Sequence, residues 1–239
     1  MFSVLMLGLL LGLQHAMEAD HIAAVASLTT RGNTLRDAAR QGTAWGLGHS
    51  LTLLLVGGSV LLIDGVIGEQ LSLLLESAVG LMLIVLGADV LLQLYRRRVH
   101  YHVHHHASET HFHAHSHMPG KQHAADPHHH RHEKRLPLRS LMVGMVHGMA
   151  GSAALIVFAL GSVQSLWEGL AYIAIFGAGS VIGMAALAVV ISLPLRWSAR
   201  SLTWAHNGLI MALGLFTLGL GILLLHETTQ ALLHGVTGI

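Results

Sequence analysis

The run His15-Ala-Met-Glu18-Ala-Asp20-His21 sets four ionisable side chains inside an otherwise apolar stretch from Phe2 to Leu28. An Asp centred in a membrane helix costs roughly 2.5 to 3.5 kcal/mol on insertion scales, so such groups as a rule line a pathway or a binding site. The bland alternative is a helix end with satisfied polar groups, but no Lys or Arg marks a boundary before Arg31. Imidazole with carboxylate suits nickel, cobalt, copper and zinc. It suits Mg²⁺ and Ca²⁺ poorly, because hard ions prefer all-oxygen shells. With no cysteine in the chain, disulfides, thiol redox chemistry and thiolate ligands are excluded, so nitrogen and oxygen must hold any metal. At ~100° per residue, His15, Glu18 and His21 share an arc of ~120°, whereas Asp20 points ~140° away from His15. A regular helix cannot aim all four at one ion. Either the helix is unwound near the motif or Glu18 and Asp20 do separate jobs; the expectation is local unwinding, with His15, Asp20 and His21 as ligands and Glu18 as a supporting or gating group. His49 is a further candidate ligand, because Gly46 and Gly48 beside it allow close backbone approach.

Composition dictates what positions these groups. Hydrophobic residues make up 53% of the chain and charged residues 10%, with a mean hydropathy of +0.61. These values belong to an integral membrane protein. Barrel strands would alternate every second residue, which the apolar runs do not, so the fold class is all-α. At about 20 apolar residues per crossing, the chain holds six transmembrane helices: Phe2 to Leu28, Thr43 to Ile63, Leu71 to Tyr95, Ser140 to Val163, Leu166 to Leu193 and Trp204 to Leu225. The first run has neither a basic n-region nor a small-residue cleavage pattern and reads as a span, not a secretory signal. Residues 29 to 41 read as a polar loop carrying Arg31, Arg36 and Arg40, and Pro194 reads as the end of the fifth span. Trp45, Trp167, Trp197 and Trp204 lie near boundaries, as interfacial anchors do. Asp89 pairs most simply with Arg96. Asp64, Glu69, Glu168 and Glu227 read as solvated ends, and His206 with Asn207 as a site edge or a helix cap.

The chain divides into a three-helix membrane repeat (1–98), a His-rich loop (99–138) and a second three-helix repeat (139–239). The loop holds 14 of the 21 histidines and almost no large apolar residues, so it is expected to be disordered without a ligand. Dense neutral imidazoles would raise the local concentration of captured metal. A shift of 132 lays Gly12 and His15 on Gly144 and His147, and a shift of 131 lays Gly46 and Gly48 on Gly177 and Gly179. Three spans per unit make the repeat inverted, the plan of many secondary transporters. His147, the counterpart of His15, joins the candidate metal residues. All 13 Lys and Arg follow the first, third and fifth spans. The positive-inside rule then puts both termini outside and the His-rich loop in the cytoplasm.

His15-x-x-x-x-Asp20-His21, continuing as Ile22-Ala-Ala-Val25, resembles the signature helix of the nickel/cobalt transporter family, closest to its six-span branch that includes membrane proteins associated with urease maturation. Gly48-His49-Ser50 is similar to that family's second motif. The resemblance implies that His15, Asp20, His21 and His49 take part in selecting and moving Ni²⁺ or Co²⁺ across a cytoplasmic membrane. It implies metallochaperones or urease and hydrogenase maturation proteins as partners, with no nucleic acid. The metal is cargo, no resident cofactor is expected, and the chain is not expected to be an enzyme. The acidic LGxDT-type motif of the larger members is missing, and Met145-Val-His147-Gly-Met-Ala-Gly-Ser152 stands instead. Uptake is the expected direction; the His-rich loop resembles that of related efflux proteins, so efflux is the alternative, with a membrane-embedded metal-binding accessory protein that does not translocate as another.

Overall fold

The computed structural model describes residues 2–30, 34–62, 68–96, 99–106, 109–116, 137–150, 165–201 and 203–237. In these, the helices are α1 (Phe2–His15), α2 (Ala19–Thr29), α3 (Leu35–Leu62), α4 (Glu69–Arg96), α5 (Leu138–Ala150), α6 (Leu166–Ser201) and α7 (Thr203–Thr237). Two strands, β1 (Val99–His106) and β2 (Glu109–Ser116), lie between α4 and α5. Helices α3, α4, α6 and α7 are each long and apolar enough to cross a membrane, so this is a multi-pass helical membrane protein. The first apolar run is two shorter helices, and the fourth expected span is described only as far as Ala150.

The first run breaks at the motif, in the unwinding expected there. After α1, the amides of Met17 and Glu18 reach back only three residues, to the carbonyls of Gln14 and His15. Glu18 is extended, with φ −65° and ψ 151°, before α2 begins. The following helix, Ala-rich and narrow, is swallowed by the bundle: every residue from Ala23 to Thr29 is buried. It forms one core with Trp45, Leu83, Leu86 and Met184. Two hydroxyls pin it, Ser27 Oγ donating to Thr217 Oγ1 at 3.0 Å and Thr217 Oγ1 meeting the Ala23 carbonyl at 3.2 Å.

Several boundaries differ from the sequence reading. Helix α3 starts at Leu35, inside the supposed loop, because Thr34 and Asp37 cap it reciprocally: the Asp37 amide donates to Thr34 Oγ1 at 3.0 Å and that hydroxyl donates to Asp37 Oδ2 at 2.7 Å. Ser165 accepts the Glu168 amide at the head of α6, so Glu168 belongs to a cap. Pro194 does not end α6. It removes one hydrogen bond, yet Leu195 is buried against Val90 and Ile210, which holds the next turn in line. Helix α7 runs to Thr237 instead of stopping near Leu225; at 1.5 Å per residue its 35 residues extend about 50 Å, well beyond a hydrocarbon core of about 30 Å. Asp89 is engaged by Arg139 of α5, with Nη2 2.6 Å from Oδ2, a partner that spacing along α4 does not indicate. Trp45 is fully buried, not interfacial, whereas Trp167, Trp197 and Trp204 are exposed.

The segment expected to lack structure begins as an antiparallel hairpin of β1 and β2. The overlooked signal is a period of two, Val99-His-Tyr101-His-Val103 and Thr110-His-Phe112-His, which places β-branched and aromatic residues at alternate positions. Residues 117–136 lie outside the described ones.

Helices meet at glycines, as lipid-embedded helices do when small residues let backbones approach. A Cβ on Gly48 would strike the Leu141 carbonyl, and one on Gly144 would strike the Trp45 carbonyl, so α3 and α5 touch backbone to backbone. The same holds between α1 and α6, where a Cβ on Gly12 would strike the Phe176 carbonyl and one on Gly179 the Leu9 carbonyl. Helices α4 and α7 meet through Gly80 against Gly221. Gly219 faces open space. Gly48→Ala is expected to lower the thermal midpoint of the purified protein in detergent, while Gly219→Ala leaves it unchanged or raises it, by up to about 1 kcal/mol of helix propensity. Equal behaviour of the two variants, read by a thermal-shift assay, would contradict this packing.

Candidate metal centre

All six candidate residues lie in one cluster. His15 ends α1, Glu18 stands in the break, Asp20 and His21 open α2, His49 comes from the middle of α3, and His147 from the last described turn of α5. Two close contacts between α3 and α5 bring His49 and His147 together: a Cβ on Gly148 would meet the His49 carbonyl, and Gly144 approaches the His49 amide. The break brings Asp20 round to the side from which a regular helix would exclude it.

The carboxylates each hold imidazoles. His15 Nδ1 lies 2.9 Å from Glu18 Oε1. Asp20 Oδ1 accepts the His21 amide and His21 Nδ1, both at 2.8 Å, while Oδ2 faces His147 Nε2 at 2.9 Å. Across the helices, His15 Nε2 and His49 Nε2 are 3.2 Å apart. In a neutral ring the nitrogen facing a carboxylate carries the proton, which leaves the other nitrogen with a lone pair. Glu18 and Asp20 therefore turn the Nε2 lone pairs of His15 and His21 inward, and Asp20 leaves His147 its Nδ1 lone pair.

Buried polar atoms are satisfied as a rule, and each exception requires a reason. His21 Nε2, His49 Nδ1 and His147 Nδ1 are buried with no hydrogen-bond partner among the described residues. Potential ligand atoms of His15, His21 and His49 lie within 4.8 Å of one another, as do those of Asp20, His21 and His147. The two sets share His21. The surroundings grade from wet to dry: Glu18 is 55% exposed and Asp20 28%, while His15 is at 11% and His21 at 1%.

Two aromatic rings shape the cluster and were not among the sequence candidates for this site. Trp45 lies 5.3 Å from His21, 5.5 Å from His147 and 6.3 Å from His49, centroid to centroid. Phe176 lies 5.3 Å from His15. The available signal was the helical spacing of Trp45 from His49, one turn apart on the same face. His206 hydrogen-bonds Ser198 Oγ at 3.3 Å, a contact between α6 and α7.

Residues 3–216 match the family described as Cytochrome C biogenesis protein transmembrane region. The chain belongs to this family. It is also 35% identical to urease accessory protein UreH of Bacillus sp. (strain TB-90) over 93% of its own length and 90% of that protein's, so it shares the family of that accessory protein. A more distant relative is the Arabidopsis thaliana chloroplast protein FOR GROWTH AND FERTILITY 2, 27% identical over 87% of this chain and 54% of that one. No solved structure matches. The protein is not an enzyme: its family is one of membrane regions, and the bacterial relative is named for an accessory role. Within these family limits, the absence of cysteine means that the chain itself offers no thiol for disulfide exchange or thiolate ligation.

Trp45→Ala should cost about 3 to 5 kcal/mol of stability, as large-to-small core changes do, and Trp45→Phe distinctly less. Thermal unfolding in detergent checks both, and equal midpoints for the parent and Trp45→Ala would remove Trp45 as the wall of the cluster.

Proposed function

We propose that the protein carries a divalent transition-metal ion, Ni²⁺ or Co²⁺, across a cytoplasmic membrane in the direction of uptake, with the His/Asp cluster as the intramembrane site. One observation carries this reading: two carboxylate–imidazole couples, Glu18 with His15 and Asp20 with His21, leave the far ring nitrogens unclaimed by carboxylate, with His15 Nε2 3.2 Å from His49 Nε2 and the ligand atoms of all three histidines within 4.8 Å of one another. A metal-bound imidazole nearly always gives its other N–H to a carboxylate or carbonyl, which fixes ring orientation and raises basicity. The 3.2 Å between the Nε2 atoms of His15 and His49 fits two nitrogens on one ion, since bonds of about 2.05 Å at a tetrahedral angle put donors roughly 3.3 Å apart. His15, His21 and His49 are then the ligands. Asp20 orients His21 and His147 and supplies negative charge, and Glu18, the most exposed member, receives the ion. His147 offers the next position along the path through the shared Asp20.

Three protein ligands leave the shell open, which lets the ion leave as well as arrive. The discontinuous first run contributes further, since the C-terminal end of a half-helix carries partial negative charge and favours a cation. The resemblance of the His15 to His21 motif to nickel/cobalt transporters and the likeness to a urease accessory protein both support nickel and urease maturation partners. Metal binding without translocation is the reading that competes with transport.

We further read the bundle as six spans in two inverted repeats, 1–98 and 139–239. Gly12 meets Phe176 as Gly144 meets Trp45, and Gly48 meets Leu141 as Gly179 meets Leu9. Each pair of contacts is the other displaced by 131 or 132 positions, which is what a pseudo-two-fold axis produces. The distribution of Lys and Arg supports termini outside and the His-rich segment in the cytoplasm.

The test is ⁶³Ni²⁺ flux into cells and into reconstituted vesicles of defined orientation. Parent protein should accumulate Ni²⁺, and His15→Ala, His49→Ala and Asp20→Asn should each cut the rate at least tenfold, the lower bound for losing even an outer partner of a metal site. Equilibrium binding of Ni²⁺ without flux would end the transport reading, and flux only outward would reverse its direction.

A further inference from the structure

The ion pair of Asp89 with Arg139 joins two parts of the bundle that are otherwise built as separate bodies. Helices α3 and α5 are pressed backbone to backbone through Gly48, Gly144 and Gly148, and α4 and α7 through Gly80, Gly87 and Gly221. Backbones in contact have no side chains between them to repack, so each pair holds together as one body. The seam between α4 and α5 is of another kind. Gly80, Gly87, Gly144 and Gly148 all face other partners, and α5 meets the core there through the side chains of Val143 and Ala150. At the end where α4 finishes and α5 begins, Arg139 Nη2 lies 2.6 Å from Asp89 Oδ2. Arg139 is 42% exposed and Asp89 32%. Ion pairs this open to their surroundings are individually weak, which suits a contact that opens and closes.

A second observation gives Asp89 somewhere to go. Gln93 stands four residues further along α4, one turn on and on the same face. Its Nε2 is buried and has no hydrogen-bond partner among the described residues. Buried donors are paired as a rule, and an exception requires a reason. Asp and Gln four apart on a helix are within hydrogen-bonding reach, so this amide is a donor held ready for the carboxylate when Arg139 leaves it. Without such a donor, opening the seam would strand Asp89 in an apolar span, and an abandoned charge is what makes a buried pair hard to break.

We propose that Asp89, Arg139 and Gln93 form a two-position latch across the seam of α4 and α5. In the position seen here, Asp89 holds Arg139. In the other, Asp89 accepts a hydrogen bond from Gln93 Nε2 of its own helix, and α5 draws away together with α3. Arg139 lies eight residues before His147, about 12 Å along α5, and His147 Nε2 faces Asp20 Oδ2 at 2.9 Å. The latch therefore sets how α5 presents His147, and α3 presents His49, to the motif. All three are positioning residues that act through these helices and do not touch the ion. The latch rests on the transport reading: uptake requires an exit on the side where α4 ends, the side on which the Lys and Arg residues lie.

The test uses the full-length protein, with ⁶³Ni²⁺ as the probe for binding in detergent and for flux in vesicles. The chain has no cysteine, so Asp89→Cys with Arg139→Cys supplies the only thiols for a short, reducible bis-methanethiosulfonate bridge. The bridged protein should bind Ni²⁺ as tightly as the unbridged one yet lose its flux, and reductant should restore it. Gln93→Leu keeps the closed pair but removes the waiting donor. It should leave Ni²⁺ affinity unchanged and the thermal midpoint at or above that of the parent, while slowing flux roughly tenfold or more, the scale of an unmade hydrogen bond to a charged group. A merely structural role for Gln93 would move the midpoint and spare the rate. Equal flux with and without the bridge would overturn the latch, as would parental flux in Gln93→Leu or lost flux in the unbridged double variant. Absence of Ni²⁺ flux from the parent ends the transport reading and the latch with it, whereas parental flux that neither the bridge nor Gln93→Leu alters ends the latch alone.

Discussion

Carboxylates and imidazoles in an apolar bundle have to satisfy one another, and everything around the His15 to His21 motif is arranged so that they can. Lipid offers no partner for a buried N–H or carboxylate. Glu18 takes one imidazole and Asp20 takes two, along with a backbone amide. What is left after that pairing is a set of ring nitrogens with lone pairs and no partner among the described residues. Those leftovers, more than the histidine count, give the cluster its chemical meaning.

The break at Ala16–Glu18 is the structural cost of this arrangement. Opening the ladder of backbone bonds turns Asp20 toward the histidines, and the freed amides make shorter, three-residue contacts. The short helix that follows is buried by larger neighbours from Ala23 to Thr29. Its alanines make this possible, because a helix of small residues lets α3, α4, α6 and α7 close around it.

Glycine does the rest of the positioning. His49 and His147 stand on α3 and α5, and their rings, 5.8 Å apart, come together because Gly48, Gly144 and Gly148 bring the two backbones into contact. Trp45 then fills the space behind three of the rings. A tryptophan that looked like an interfacial anchor by its place near a span boundary is a wall of the site. The boundary itself was misplaced, since Thr34 and Asp37 start α3 earlier.

The residues by themselves determined that the chain lives in a membrane, since 53% hydrophobic and 10% charged leaves no other solvent for it. They also determined which side chains are chemically unusual, because an ionisable group within an apolar run stands out without any fold. Helical geometry left the first run two choices, to unwind near the motif or to give Glu18 and Asp20 separate jobs. Local sequence did not reveal who partners whom. Asp20 with His147 and Asp89 with Arg139 join residues 127 and 50 positions apart, and no periodicity along one helix encodes a contact between two. Nor did it mark where α6 ends, since burial of Leu195 against other helices outweighs the lost hydrogen bond of Pro194. Spacing and composition name the groups; only the crossing of glycine-faced helices decides which of them meet.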